Sequence, residues 1–150
     1  MPYLIKENTY ALIPNGDQTE IIESEQSLTI NKTPAEVVSI NCYVNGSTLE
    51  GRQKGSSYLI GTPYKPPIIL SDFENIILLP THSVRNKECS WINLNTILNY
   101  YKNDSNNLIV EFKNHKKIVL NISFSKFDKQ VLRATRLEST LRGRNNKKYL

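Results

Sequence analysis

Two short runs of unbroken aliphatic residues constrain the fold of this chain more than any other feature: Ile68-Ile69-Leu70 and Ile76-Ile77-Leu78-Leu79. A strand with one wet face alternates apolar and polar residues, so a strand without that alternation must be covered on both faces. The stiff segment Pro63 to Pro67 leads into the first run. Both runs are therefore expected at the centre of the core, with further layers on either side of their sheet.

The rest of the chain supplies candidates for those layers. Thr9-Tyr10-Ala11-Leu12-Ile13 is an apolar strand that stops at the turn cluster Pro14-Asn15-Gly16-Asp17. Thr19 to Ile22 and Ser27 to Ile30 are expected to form the next two strands. Thr33-Pro34-Ala35-Glu36 has a helix-start signature: a hydroxyl cap, proline at the first helical position, and a glutamate three residues after the cap. That helix would carry Val37, Val38 and Cys42 inward and stop near Asn45-Gly46. Gly46 to Ser57, rich in glycine and hydroxyls, reads as an exposed, mobile loop from which Arg52 and Lys54 project. His82 to Cys89 is a second polar loop, carrying Arg85 and Lys87. Ser90-Trp91-Ile92 returns to the core, and Leu94 to Tyr101 reads as a short helix or a further strand. Leu108 to Phe112 and Lys117 to Leu120 read as a hairpin. The expected class is α+β: a mainly antiparallel, partly barrel-like sheet, a short helix near 34–44 and a long basic C-terminal helix near 124–142. No linker divides the chain, so residues 1–150 are expected to be one domain.

The last segment, Ser123 to about Leu141, has the clearest helical period. At about 100° per residue from Lys126, Phe124, Phe127, Val131, Ala134 and Leu141 fall between roughly 60° and 160° and form the buried face. Lys126, Lys129, Arg133 and Arg136 fall between roughly 280° and 360°, a compact basic stripe. Arg144 and Lys147 extend the stripe if the helix continues, while Arg142 and Lys148 add charge without facing it.

Charge is distributed unevenly along the chain. Residues 1–50 hold two basic and seven acidic side chains, whereas residues 91–150 hold twelve basic and four acidic. The polarity points to a polyanionic partner engaged by the later part of the chain. No glycine-rich phosphate loop, nucleophile elbow or HExxH spacing is present, so no enzyme, metal or cofactor is expected. Cys42 and Cys89 stand in no CxxC pair and read as small buried residues. His82 and His115 read as loop or turn residues without a triad partner. No apolar run reaches the roughly 18 residues of a membrane helix, and nothing at Met1 to Glu7 reads as a signal peptide; a cytoplasmic chain is expected. Loop arginines suit a narrow A/T-rich minor groove, and lysines suit phosphates. A regulatory protein–protein module is the competing class, and RNA binding a third.

At the loops and the last helix the residues resemble a known family. Gly46-Ser47-Thr48-Leu49-Glu50-Gly51-Arg52-Gln53-Lys54-Gly55 is similar to the glycine-rich segment of the ComK family, and Lys65-Pro66-Pro67-Ile68 to its strand entry. Ile76 to Thr81, Arg85 and Cys89-Ser90-Trp91-Ile92 resemble its following block. Phe127 to Ala134 resembles its F-x-x-Q-x-x-R helix. The match in order and spacing runs from about Gly46 to Arg144. The resemblance implies an activator of genes for DNA uptake and recombination. It would bind paired A/T-rich boxes, mainly through the minor groove, as a homodimer or higher homo-oligomer near the nucleoid, with RNA polymerase a further partner. Under it, Arg52 and Arg85 would enter or border the groove. Lys54, Lys65, Lys87, Lys129, Arg133 and Arg136 would contact phosphates, supported by Arg142 and Arg144. Family members run on past the basic helix; this sequence stops at Lys147-Lys148-Tyr149-Leu150, so a short form is expected.

Overall fold

The computed structural model describes residues 1–147, with side chains described through Gly143. Strands β1 (Thr9–Asn15), β2 (Gln18–Glu23) and β3 (Ser27–Ile30) precede helices α1 (Pro34–Val44) and α2 (Leu49–Ile60). Then come β4 (Ile68–Ser71), β5 (Ile76–Pro80), β6 (Trp91–Asn93), a single 3₁₀ turn at Leu94–Thr96, and β7 (Ile97–Lys102). Strands β8 (Leu108–Phe112) and β9 (Lys117–Leu120) lead into α3 (Phe124–Lys147). The strands form a six-stranded sheet of order β3-β2-β1-β6-β5-β4 and a three-stranded sheet of order β7-β8-β9. Every pairing in both is antiparallel. The class is α+β as expected, but both sheets stay open. The 3₁₀ turn separates β6 from β7, so the strands do not run on around a barrel.

The aliphatic runs do what the absence of alternation requires. Ile76 and Leu78, with Ile68, Leu70, Leu12, Ile21 and Trp91, pack on Val37, Val38 and Cys42 of α1. Ile77 and Leu79, with Ile69, Ala11, Ile22 and Ile92, face the opposite way, onto Phe127, Ala134 and Leu137 of α3 and Leu108, Val110 and Phe112 of β8. The large sheet thus lies between α1 on one side and α3 with the small sheet on the other. Tyr100 ties that second layer together. Its ring packs on Phe124 and Phe127 at 5.6 and 5.3 Å, and its hydroxyl donates to Asp128 Oδ1 at 2.7 Å.

Helix α1 starts as its sequence dictates: Glu36 N–H donates to Thr33 Oγ1 and Thr33 N–H to Glu36 Oε1, a reciprocal capping box. Residues 46–57 depart from expectation. Instead of a loop, Thr48 accepts from Gly51 N–H at 2.9 Å and opens α2, which ends at Gly61 in the left-handed conformation, φ 68°. Gly51 and Gly55 lower helix propensity, but burial of Ile60 and the packing of Leu49 and Leu59 on the two cores outweigh that cost. Leu94 to Tyr101 resolves into the 3₁₀ turn and β7. Both cysteines are buried and unpaired.

Candidate nucleic-acid interface

Helix α3 organises the basic side of the molecule. Phe127, Gln130, Ala134, Leu137 and Leu141 are buried, whereas Phe124 and Val131 are only partly so. The buried face is thus turned about 50° toward the basic stripe from its expected place, at about 100° per residue. Gln130 and Leu137 replace Phe124 and Val131 at its centre. That rotation brings Arg133 to the edge of the protein core, half-buried, and leaves Lys126, Lys129 and Arg136 exposed.

Gln130 is fully buried, and all its hydrogen-bonding capacity is directed at this side of the fold. Its Nε2 donates to the Pro80 carbonyl at 2.7 Å and to the Lys65 carbonyl at 2.9 Å. Its Oε1 accepts from Arg133 Nη1 at 2.9 Å. One amide therefore fixes the end of β5, the Lys65 segment and an arginine of α3 relative to one another. Lys65 itself is held at φ 47°, a left-handed backbone uncommon for a side chain with a Cβ. Lys65 as a residue is half-buried. Burial, then Lys126, then Arg133 hold its pKa below the ordinary lysine value.

Beside Lys65 runs an open groove lined by Glu50, Lys54 and Ser57 of α2, Tyr64 and Lys65, and Arg85 of the loop after β5. Three cations from three separate segments thus converge on one depression. Lys54 is exposed and 3.0 Å from Glu50, a surface pair of small energetic weight that a phosphate can displace. Arg85 and Lys87 are exposed. Both also border a neighbouring concavity closed by the β1–β2 turn at Gly16-Asp17 and by Thr33-Pro34.

Other expected site residues fall elsewhere. Arg52 lies on α2 rather than on a loop, half-buried, with Nη2 donating to the Asn45 carbonyl at 3.3 Å just past the end of α1. It is not part of the groove wall that Lys54 lines, because α2 presents Glu50, Gln53, Lys54 and Ser57 there. Arg142 is exposed and 3.6 Å from Glu138. The Arg144 and Lys147 side chains lie outside the described residues, as does Lys148.

His82, Lys126 and Gln130 join the site although only Lys126 stood out, as part of the stripe. His82 is half-buried at the start of the Arg85 loop, and its Nδ1 lies 2.8 Å from Thr81 Oγ1. Burial, then Lys65, depress its pKa below 6.5, with Lys126 adding to the effect. Gln130 had a sequence signal: a lone amide on an apolar helix face, one turn before Arg133.

The model of the ComK protein family matches residues 1–146. The chain belongs to the ComK family. It is 28% identical over 146 residues to the competence transcription factor of Bacillus subtilis (strain 168), covering 95% of this chain and 76% of that protein. Among solved structures it overlaps the LytTr DNA-binding domain of a putative methyl-accepting/DNA response regulator from Bacillus cereus. That overlap has a TM-score of 0.41 and 11% identity over 83% of this chain and 81% of the other, too low a score to equate the two folds. Among the described residues no helix is long and apolar enough to cross a membrane.

Proposed function

We propose that this ComK-family chain is a sequence-specific DNA-binding transcription activator of competence genes, and that residues 1–150 act as one DNA-binding domain. One observation carries the reading: Lys54, Lys65 and Arg85 line one open groove, and Gln130 holds Arg133 of the basic α3 face against the Lys65 segment. Phosphate neutralisation by such a surface releases counterions and gives tight, salt-sensitive binding. Arg85, exposed and on a loop, reads a narrow A/T-rich minor groove, while Lys54, Lys65, Lys87, Lys129, Arg133 and Arg136 contact phosphates, with Arg142 and Arg144 in support. Arg52 supports α2 from the α1 side and reaches no base in this reading. Binding as a homodimer on paired boxes, and contact with RNA polymerase once bound, complete the proposal.

Fluorescence-anisotropy titrations with a paired A/T-box duplex and a matched G/C-rich duplex, each at low and high salt, test it. The expected result is salt-sensitive binding that favours the A/T duplex, with Arg85→Ala reducing the preference and Lys129→Ala weakening both duplexes alike. Absence of binding even at low salt would refute it in favour of a protein–protein module. Intact A/T preference in Arg85→Ala would remove the minor-groove role of that loop alone.

A further inference from the structure

Four basic side chains from three segments lie within electrostatic reach of one another along the first half of α3. Lys65 comes from the segment before β4, His82 from the loop after β5, and Lys126 and Arg133 from α3. His82 and Lys126 share a polar cleft with Asn106, Asn107, Asn121 and Ser123. On the other side, Lys65 opens onto the groove of Lys54 and Arg85. The cluster is held by the buried core: Gln130 fixes the Lys65 backbone and the Arg133 guanidinium. Among the described residues, neither Lys65, Lys126 nor Arg133 has a carboxylate within 4.0 Å.

Convergent cations without a counter-charge repel one another; burial first, and then this repulsion, holds the pKa of both Lys65 and His82 below the ordinary value. An anion placed among them relieves that repulsion and gains charge-assisted hydrogen bonds. We propose that Lys65, His82, Lys126 and Arg133 form a single seat for a phosphate of the DNA backbone. The inference rests on the DNA-binding reading and assigns His82 a role within it.

His82 is the group whose charge changes when the seat fills. Thr81 Oγ1 accepts from Ser90 N–H at 2.9 Å and lies 2.8 Å from His82 Nδ1, which anchors the ring to the end of β5. The groups around it are known from each side. Lys65 and Lys126 disfavour the cation, while Glu88 of its own loop and the Asn121 carbonyl favour it. Cys89 Sγ donates to the His82 carbonyl at 3.2 Å, and the side chains of Asn106, Asn107 and Ser123 are neutral. A docked phosphate adds an anion to a site dominated by cations, so the ring takes a proton from solvent and DNA binding becomes proton-linked.

The test follows both histidine rings by NMR across pH in the full chain: free, with an A/T-box duplex, and with inorganic phosphate against chloride of equal ionic strength. His115, on the β8–β9 turn, is the internal reference. Expected is a His82 titration midpoint below 6.5 in the free chain, raised by a pH unit or more with the duplex. Duplex affinity should then fall up to about tenfold per pH unit between the two midpoints. His82→Gln should lose that pH dependence, because no group in the seat then changes its charge between the two midpoints. Duplex binding with an unmoved His82 midpoint, or with equal pH slopes in wild type and His82→Gln, would overturn the seat and leave the DNA reading standing. If no duplex binds, the DNA reading falls, and with it a DNA phosphate as the occupant. The inorganic phosphate arm then shows whether the cluster seats free phosphate instead, by a raised midpoint, or no phosphate at all.

Discussion

Gln130 offers the sharpest test of how the basic surface is built. Replacement by leucine keeps approximate volume, so little cavity is created, but it removes two donated bonds and one accepted bond. A buried acceptor left unpaired costs about 1–3 kcal/mol, and one that water reaches costs less. The Pro80 acceptor bond is buried, the Lys65 bond partly so, and Arg133 lies at the edge. About 2 kcal/mol for the first and about 1 for the other two together give a gross loss of about 3 kcal/mol. The apolar side chain returns about 1 kcal/mol by burial, leaving a net destabilisation of about 2. Urea denaturation followed by the fluorescence of Trp91, the chain's one tryptophan and fully buried, measures this directly. The midpoint should fall with an unchanged slope. Where Gln130→Leu is still folded, affinity for duplex DNA should drop several-fold, because Lys65 and Arg133 lose their common anchor. A stability change under about 0.5 kcal/mol would refute the reasoning, since the amide would then not be the sole partner of a buried acceptor.

Three further outcomes are expected. Tyr3 donates to Glu23 Oε2 at 2.5 Å, and this bond holds the buried carboxylate below its ordinary pKa of 4.5. The stability it gives is therefore present above pH 4.5 and is lost as pH falls through the lower folded value, so Tyr3→Phe should flatten the acid limb of a stability–pH profile. Thr33→Ala should cost about 1 kcal/mol in urea denaturation through loss of the α1 cap, and Thr33→Ser should restore most of it. Arg52→Ala and Arg85→Ala should separate: the first lowers the urea midpoint with A/T preference retained, the second lowers A/T preference with the midpoint retained.

The parts of the fold legible in the sequence were those set by local chemistry. The Thr33 cap, the Pro14–Asp17 turn and the unalternating runs at Ile68 and Ile76 each name their own structure, because the energetics lie within a few residues. Helix α2 was not legible. Its glycines and hydroxyls read as a loop, and it is helical because Leu59 and Ile60 pack against distant strands and α3. The same difference governs the interface. The basic stripe of α3 follows from its period, but its rotation toward Arg133 depends on Gln130 finding two carbonyls from residues 65 and 80, about 50 or more positions away in the chain. The place of Arg52 on α2 rather than on a loop has the same cause. Whether an arginine faces solvent or caps a neighbouring helix depends on where α1 ends relative to α2.

Lys65 shows how charge and backbone are linked at this surface. A residue with a Cβ at φ 47° carries strain of about 1 kcal/mol, which glycine avoids. In ordinary helix or strand backbone, glycine is instead the less stable choice by about 0.5–1 kcal/mol relative to alanine. Lys65→Ala and Lys65→Gly remove the same charge and the same repulsion from Lys126 and Arg133, so their difference isolates the backbone. Lys65→Gly should therefore equal or exceed Lys65→Ala in stability by up to about 1 kcal/mol, while both lose the same DNA affinity and reduce the salt slope by about 1. Alanine as the more stable of the two would mean that the left-handed turn does not persist in solution. The place of Lys65 beside Lys126 and Arg133 would then fall with it, because this backbone angle sets the direction in which the Lys65 Cβ leaves the chain.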